Sequence, residues 1–162
     1  MKTIPLTQGR VAIVDDADFE SLNKFKWCCS KFGYAVRAGK RDSNSKQPTI
    51  RMHRVIINAP KNYDVDHANR NRIDNRKENL RICTASENQW NRGTQQNNTT
   101  GFKGVSWSKS AGKFRACVRV GEKRMYLEYY FTAIDAAKAY DAAAIKMHGE
   151  FARGNNYITN GI

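Results

Sequence analysis

Cysteine is scarce in this chain and never paired in a ligand spacing. The four cysteines are Cys28, Cys29, Cys83 and Cys117, and no two of them form a C-x-x-C pair. This argues against a zinc ribbon and a disulfide framework, and leaves buried free thiols in a reducing compartment as the expectation. Long apolar runs are missing too. No segment approaches the roughly 20 apolar residues that span a bilayer. The opening Met1-Lys2-Thr3-Ile4-Pro5 lacks the apolar core of a signal peptide. A soluble, cytoplasmic protein with no membrane partner is expected. Acidic residues are also in short supply: 15 Asp and Glu stand against 28 Lys and Arg, for a formal net charge of +13. Such a surplus points to a polyanionic partner, most simply nucleic acid, with a merely well-solvated surface as the alternative. At 162 residues and 40% hydrophobic content the chain can form one ordinary domain or two small ones.

Residues 1–50 read as a β-rich module. Val11-Ala12-Ile13-Val14 is a short apolar run stopped by Asp15-Asp16. Phe25 to Cys29 and Tyr34 to Arg37 flank Phe32-Gly33 as a candidate hairpin. Asp16 to Asn23 suits one or two helical turns, Gly39 to Pro48 a polar loop, and Thr49 to His53 another strand. The module either contacts nucleic acid or buttresses the central stretch of the chain.

Residues 51–92 carry the chemistry. Tyr63 to His67 reads as a brief strand ending in Asp66-His67, followed by an Asn-, Arg- and Asp-rich stretch that favours turns. Leu80 and Ile82 alternate as a second strand would, and Thr84-x-x-Glu87 is a capping box that opens a helix and puts Asn88 in its early turns. A carboxylate and an imidazole thus stand side by side, with the amides of Asn79 and Asn88 downstream. These are the groups needed to hold a hard divalent cation and activate a water beside a phosphate. Singly, each residue has a plainer reading: Asp66 in a turn, Asn79 as a cap, His53 as a half-buried structural histidine rather than an auxiliary site residue. Arg54 and Arg81 are candidate phosphate contacts, or simple backbone contacts.

From Asn91 to Thr100 no residue is apolar, so residues 93–100 read as a linker. Residues 101–157 form a last module with strands at Gly104 to Trp107, Phe114 to Val120 and Lys123 to Tyr129, and turns at 110–113 and at Gly121-Glu122. In the middle strand Arg115, Cys117 and Arg119 share one face and Ala116, Val118 and Val120 the other. Thr132-x-x-Asp135 caps a helix that runs to His148 and stops at Gly149, with Ala133, Ala136, Ala137, Tyr140, Ala144 and Met147 as its apolar stripe. The sheet's outer face would then show Lys113, Arg115 and Arg119, with Trp107, Lys109 and Arg124, a basic and aromatic surface suited to a DNA groove.

The motif Val65-Asp66-His67 … Asn79-Leu80-Arg81 … Asn88 resembles that of HNH endonucleases in their His-Asn-Asn form. Gly104-Val105-Ser106-Trp107 … Ala136-Ala137-Lys138-Ala139-Tyr140-Asp141 … Gly149-Glu150-Phe151 resembles the AP2 DNA-binding domain. Together, and with Ile4-Pro5-Leu6-Thr7 at the start, they resemble HNH homing endonucleases of phages and bacteria that carry a C-terminal AP2 domain. Where the AP2 pattern has Leu-Gly-x-Phe-Asp, this chain has Leu127-Glu128-Tyr129-Tyr130-Phe131. The resemblance implies an α+β protein: a β-rich N-terminal module, a ββα-metal nuclease core, and a three-stranded antiparallel sheet packed on one helix. It implies that His67 is the general base and that Asn79 accepts the His67 Nδ1–H. It further implies that Asp66 and Asn88 hold one Mg²⁺ or Mn²⁺ per active site, in a bacterial host cell. The expected partner is double-stranded DNA, bound by a monomer whose single site nicks one strand to leave 5′-phosphate and 3′-hydroxyl ends. A non-catalytic AP2-like DNA-binding regulator and a basic, interaction-only protein are the alternatives.

Overall fold

The computed structural model describes residues 1–121 and 123–157. The chain forms two compact units, Met1–Ala85 and a second that begins at Ser86.

In the first unit β1 (Lys2–Pro5) and β2 (Val11–Val14) pair antiparallel, with Lys2 opposite Val14. Helix α1 (Asp16–Asn23) follows, then a three-stranded sheet of β3 (Cys28–Cys29), β4 (Ala35–Ala38) and β5 (Thr49–Arg51). Helix α2 (Met52–Ile57) leads into the antiparallel pair β6 (Asp64–His67) and β7 (Leu80–Cys83), in which Asp66 faces Arg81 and His67 faces Leu80. A single hydrophobic cluster joins Ile4, Val14, Leu22, Trp27, Ala35 and Met52, so the expected boundary at residue 50 runs through a core. Trp27 is fixed in it by donating its indole N–H to the Leu22 carbonyl at 2.8 Å.

Two local elements differ from the sequence expectation. The strand expected at 49–53 ends at Arg51, and a short helix begins at Met52. Val55, Ile56 and Ile57 carry β-favouring side chains, but Asn58 takes a left-handed conformation (φ 48°) and closes a helical turn around them. Burial of Met52 against the first core outweighs the local preference. The pairing of β1 with β2 was not anticipated either, because four residues that include a proline carry little periodic signal.

In the second unit a short helix, α3 (Ala85–Trp90), is followed by β8 (Val105–Ser108), β9 (Lys113–Val120) and β10 (Lys123–Tyr130) in an antiparallel sheet of order β10-β9-β8. Helix α4 (Ala133–His148) packs on one face of it. Thr132 caps α4 as expected, its hydroxyl accepting the Asp135 N–H at 3.1 Å. Ala116, Val118, Ala136 and Ala137 are wholly buried, and the alanines let the helix lie close. Gly104 is required at its position: φ is +75°, and a Cβ there would stand 2.0 Å from the Tyr140 ring.

The stripe on α4 turns differently at its end. Met147 is 39% exposed, and His148 lies inward instead. Its ring stacks on Trp90 with centroids 4.1 Å apart, and its Nε2–H donates to the Arg119 carbonyl at 2.7 Å. Val120, at the end of its strand, is likewise exposed. Of the turn expected at Gly121-Glu122, Glu122 lies outside the described residues. The four cysteines are free thiols, and Cys28 is exposed rather than buried. Among the described residues no helix is long and apolar enough to cross a membrane.

Candidate active site

Strand β6 carries Asp66 and His67 into the interior of the first unit, where both are buried. Asp66 meets Arg81 directly across the β6–β7 ladder, and Arg81 Nη2 donates to Asp66 Oδ2 in a close ion pair. The sequence suggests a phosphate contact for Arg81. Its guanidinium instead neutralises a carboxylate that has been taken out of water. Arg54 departs in the same way. It donates from Nη1 to the Tyr63 carbonyl at 2.7 Å and from Nη2 to the Pro60 and Ala59 carbonyls at 2.8 and 3.2 Å. It therefore fastens the chain between α2 and β6, where the backbone has left the helix and its carbonyls need donors.

The stretch between β6 and β7 is an ordered loop held by short polar side chains. Asp74 is 2% exposed and accepts from Arg76 Nε at 2.8 Å and Nη2 at 2.7 Å, and from Asn69 Nδ2 at 2.8 Å. The Arg76 hydrogen bonds, chiefly, hold its carboxyl below the usual carboxylate range. The loop is laced to β2 by the backbone: Ile13 N–H donates to the Ile73 carbonyl and Asn75 N–H to the Ile13 carbonyl, both at 2.8 Å.

The Asn79 side chain belongs to this lacing. Its Oδ1 accepts the Asn69 N–H at 2.8 Å and its Nδ2 donates to the Asp74 carbonyl at 2.7 Å. Asn79 thereby ties the start of the loop to its end. The amide that meets His67 is Asn75, 1% exposed, whose Oδ1 lies 3.4 Å from His67 Nε2. An amide oxygen only accepts, so this contact favours the tautomer with the proton on Nε2. Asn75 and Asp74 were not singled out from the sequence. The density of Asn and Asp between residues 69 and 75 was the available signal.

Two further rings surround His67. His53, at the start of α2, packs edge-on against it with centroids 5.1 Å apart at 90°, and Tyr34 of the β3–β4 turn lies 5.9 Å away. Tyr34 and His53 are 5.2 Å apart. Burial holds the His67 imidazole below its ordinary value, opposed by Asn75 and by the Asp66 and Asp74 carboxylates. His53 is driven further, down to about 3, by burial and then by His67, Arg51 and Arg54. Both rings are therefore neutral near pH 7, and a neutral His67 can accept a proton. The buried His53 Nδ1 has no hydrogen-bond partner.

Asn88 lies in α3 of the second unit. Among the described residues there is no cluster of three or more His, Cys, Asp or Glu suited to a metal ion. Strand β6 brings the Asp66 carboxylate beside His67, and an ion such as Mg²⁺ keeps several waters and takes only one or two carboxylates.

In the second unit, strand register sorts the expected DNA-contacting residues. Arg119 faces Arg124, and Arg115 faces both Ser106 and Tyr129, so these share the face away from α4 with Lys113. Lys109 is exposed in the β8–β9 turn. Trp107 does not join them. It pairs with Phe114, their rings 4.8 Å apart, on the side that carries Ala116 and α4. The aromatic members of the outer face are Tyr126 and Tyr129, about half exposed, and the Arg115 guanidinium lies 4.3 Å from the Tyr126 ring centroid. Between them β10 carries a bulge at Leu127-Glu128, where the sequence departs from the AP2 pattern.

A family model described as HNH endonuclease matches residues 52–90. Protein 3.8 of Escherichia phage T7 is 35% identical over 94 residues, covering 58% of this chain and 77% of that protein. An uncharacterized HNH endonuclease of Acanthamoeba polyphaga mimivirus is 29% identical over 150 residues, covering 91% of this chain and 76% of its own length. No solved structure matches.

Proposed function

The chain belongs to the HNH endonuclease family and is a DNA-cleaving hydrolase, and from that premise we propose a metal-dependent, site-specific enzyme of the homing type that nicks one strand of duplex DNA as a monomer. The observation that carries this reading is His67: buried, neutral, and fixed between Asn75, His53 and Tyr34 at the end of a strand that also supplies Asp66.

In this reading His67 takes a proton from the attacking water as the water oxygen adds to phosphorus. The P–O3′ bond breaks and the departing 3′ oxygen takes a proton from solvent, leaving a 5′-phosphate and a 3′-hydroxyl. Asp66, and Asn88 as the family resemblance implies, would hold the divalent ion, Mg²⁺ or Mn²⁺. When bound, such an ion supplies positive charge to the phosphate and to the departing oxygen. With such an ion held by Asp66, the Arg81 guanidinium that now neutralises that carboxylate would be free to meet the phosphate. Asn79 acts at one remove, holding the loop that presents Asn75. Lys113, Arg115, Arg119, Arg124 and Lys109 form an AP2-like reading surface, with Tyr126 and Tyr129 as its stacking aromatics. The bulge at Glu128 changes the local twist of that surface, so its base preference differs from that of a sheet with glycine there.

The test is a supercoiled plasmid carrying phage or host DNA, treated with wild type and His67→Ala in Mg²⁺ and in EDTA. Metal-dependent open circles, lost in the variant, are expected. Linear product would refute single-strand nicking. Equal cutting by His67→Ala would remove His67 from the chemistry.

A further inference from the structure

The turn between β3 and β4 presents an exposed aromatic ring next to the candidate active site, and neither the packing of the first unit nor the hydrolysis of the phosphate uses it. Phe32 stands at the tip of Ser30-Lys31-Phe32-Gly33 with 61% of its surface exposed. An isolated exposed aromatic needs no explanation by itself. This one sits on a hydrogen-bonded turn with two cations attached to it.

The hydrogen bonds lie within the turn. Gly33 N–H donates to the Ser30 carbonyl at 2.8 Å, Ser30 N–H to the Tyr34 carbonyl at 2.9 Å, and Tyr34 N–H to Ser30 Oγ at 3.1 Å. Gly33 has φ +81°, a conformation that a side chain would strain. The charge comes from Lys31, whose Nζ lies 5.0 Å from the Phe32 ring centroid, and from Arg72. Arg72 Nη1 donates to the Phe32 carbonyl at 2.7 Å, and its guanidinium sits 4.9 Å from the Tyr34 ring centroid. The Tyr34 ring lies in turn 5.9 Å from that of His67. One continuous set of contacts within the first unit therefore runs from the Phe32 backbone at the tip to the imidazole that would activate the water.

We propose that Phe32 stacks on a base of the DNA strand being cut, at a step it has partly unstacked, while Lys31 and Arg72 hold the flanking phosphates, so that the turn grips the strand next to His67. The occupant is nucleic acid rather than protein because the ring has the Lys31 ammonium over it and its own carbonyl held by the Arg72 guanidinium, and an aromatic residue flanked by cations matches a π-faced base between phosphates. This inference rests on the nuclease reading and adds to it a substrate-gripping turn, residues 30–34, that lies outside the matched residues 52–90 and is joined to them by Arg72.

The test places 2-aminopurine at each step around the mapped nick and measures its fluorescence in complexes with full-length His67→Ala protein, which binds without cutting. The expected result is a rise at one step near the nick that is absent from the Phe32→Ala/His67→Ala protein. Phe32→Tyr/His67→Ala should restore it. In the cutting-competent background Phe32→Ala should weaken DNA binding by roughly 5- to 100-fold, the range for loss of one stacked base. Lys31→Ala should lower the log-affinity against log-salt slope by about 1. Phe32 is exposed, so its replacement leaves the fold intact. Unchanged 2-aminopurine signal and unchanged affinity in the Phe32→Ala proteins, with wild type still cutting and His67→Ala inactive, would overturn the proposal and leave the nuclease reading standing. Absence of metal-dependent cutting by wild type would overturn the nuclease reading and this proposal with it.

Discussion

His53 gives a quantitative prediction about stability. Its folded-state value is driven down to about 3 from an ordinary 6.5, with burial as the largest cause. Between those two values the unfolded chain binds a proton that the folded chain does not. Stability from this residue is thus level above about pH 6.5 and falls as the pH falls toward 3. At about pH 5 the loss from His53 alone is about 2 kcal/mol, from roughly 1.5 pH units at 1.36 kcal/mol each. Asp and Glu scarcely titrate between about pH 5 and 7.5, so they do not obscure the window. His67 and His148, also held low by burial, act in the same direction, so the comparison must be made between proteins. His53→Phe fills the same space without a titrating group or an unpartnered nitrogen. Urea unfolding followed by hydrogen exchange in β2 and β6 would report on the first unit. Wild type should lose about 2 kcal/mol more than His53→Phe between about pH 7.5 and pH 5. Equal losses in the two proteins would mean that His53 titrates alike folded and unfolded, and the burial argument would fail.

Other substitutions test separate parts of the structure. Asn79→Ala should cost about 2–4 kcal/mol in urea unfolding, because it leaves the Asn69 N–H and the Asp74 carbonyl without their partner; wild-type stability would show that the loop does not depend on it. Gly104→Ala should lower the melting temperature of the second unit by driving a methyl group into the Tyr140 ring at positive φ, a loss of about 2 kcal/mol or more. Arg115→Ala and Arg119→Ala should each reduce the salt slope of DNA binding by about 1 with little change in melting temperature. A slope that does not move would take the outer face of the second sheet off the DNA.

The secondary structure of the second unit was legible almost throughout, because its signals are local. Alternation along β9, the Thr132 cap and the Gly149 stop each fix their own element. The side chosen by Trp107 was not legible, since it depends on which residue of β9 stands opposite, and only pairing sets that. His148 displaced Met147 at the end of α4 because a stacking partner, Trp90, lies more than fifty residues away in sequence. In the first unit the strand–loop–strand pattern, and where Asp66, His67 and Asn79 fall along it, could be read from types and spacing. The partners of these side chains could not. Motif spacing does not say which amide points at an imidazole, and in an Asn-rich loop several can. Arg54 and Arg81 illustrate the same point: the carbonyls and the carboxylate that the folded chain offers them leave no mark in the sequence.

The two backbone bonds from Ile13 to the loop between β6 and β7 bear on how this nuclease can be moved between proteins. The segment that matches the family begins at residue 52, and a graft designed on it would look complete. It would nevertheless omit the strand that acts as a splint for the loop carrying Asn75. A transplanted segment of residues 52–90 should keep Asp66 and His67 on their strand, yet set them beside a slack loop. The portable piece is residues 1–90, which keeps both the splinting strand and Asn88, and fusions that respect those limits are the ones expected to keep their cutting activity.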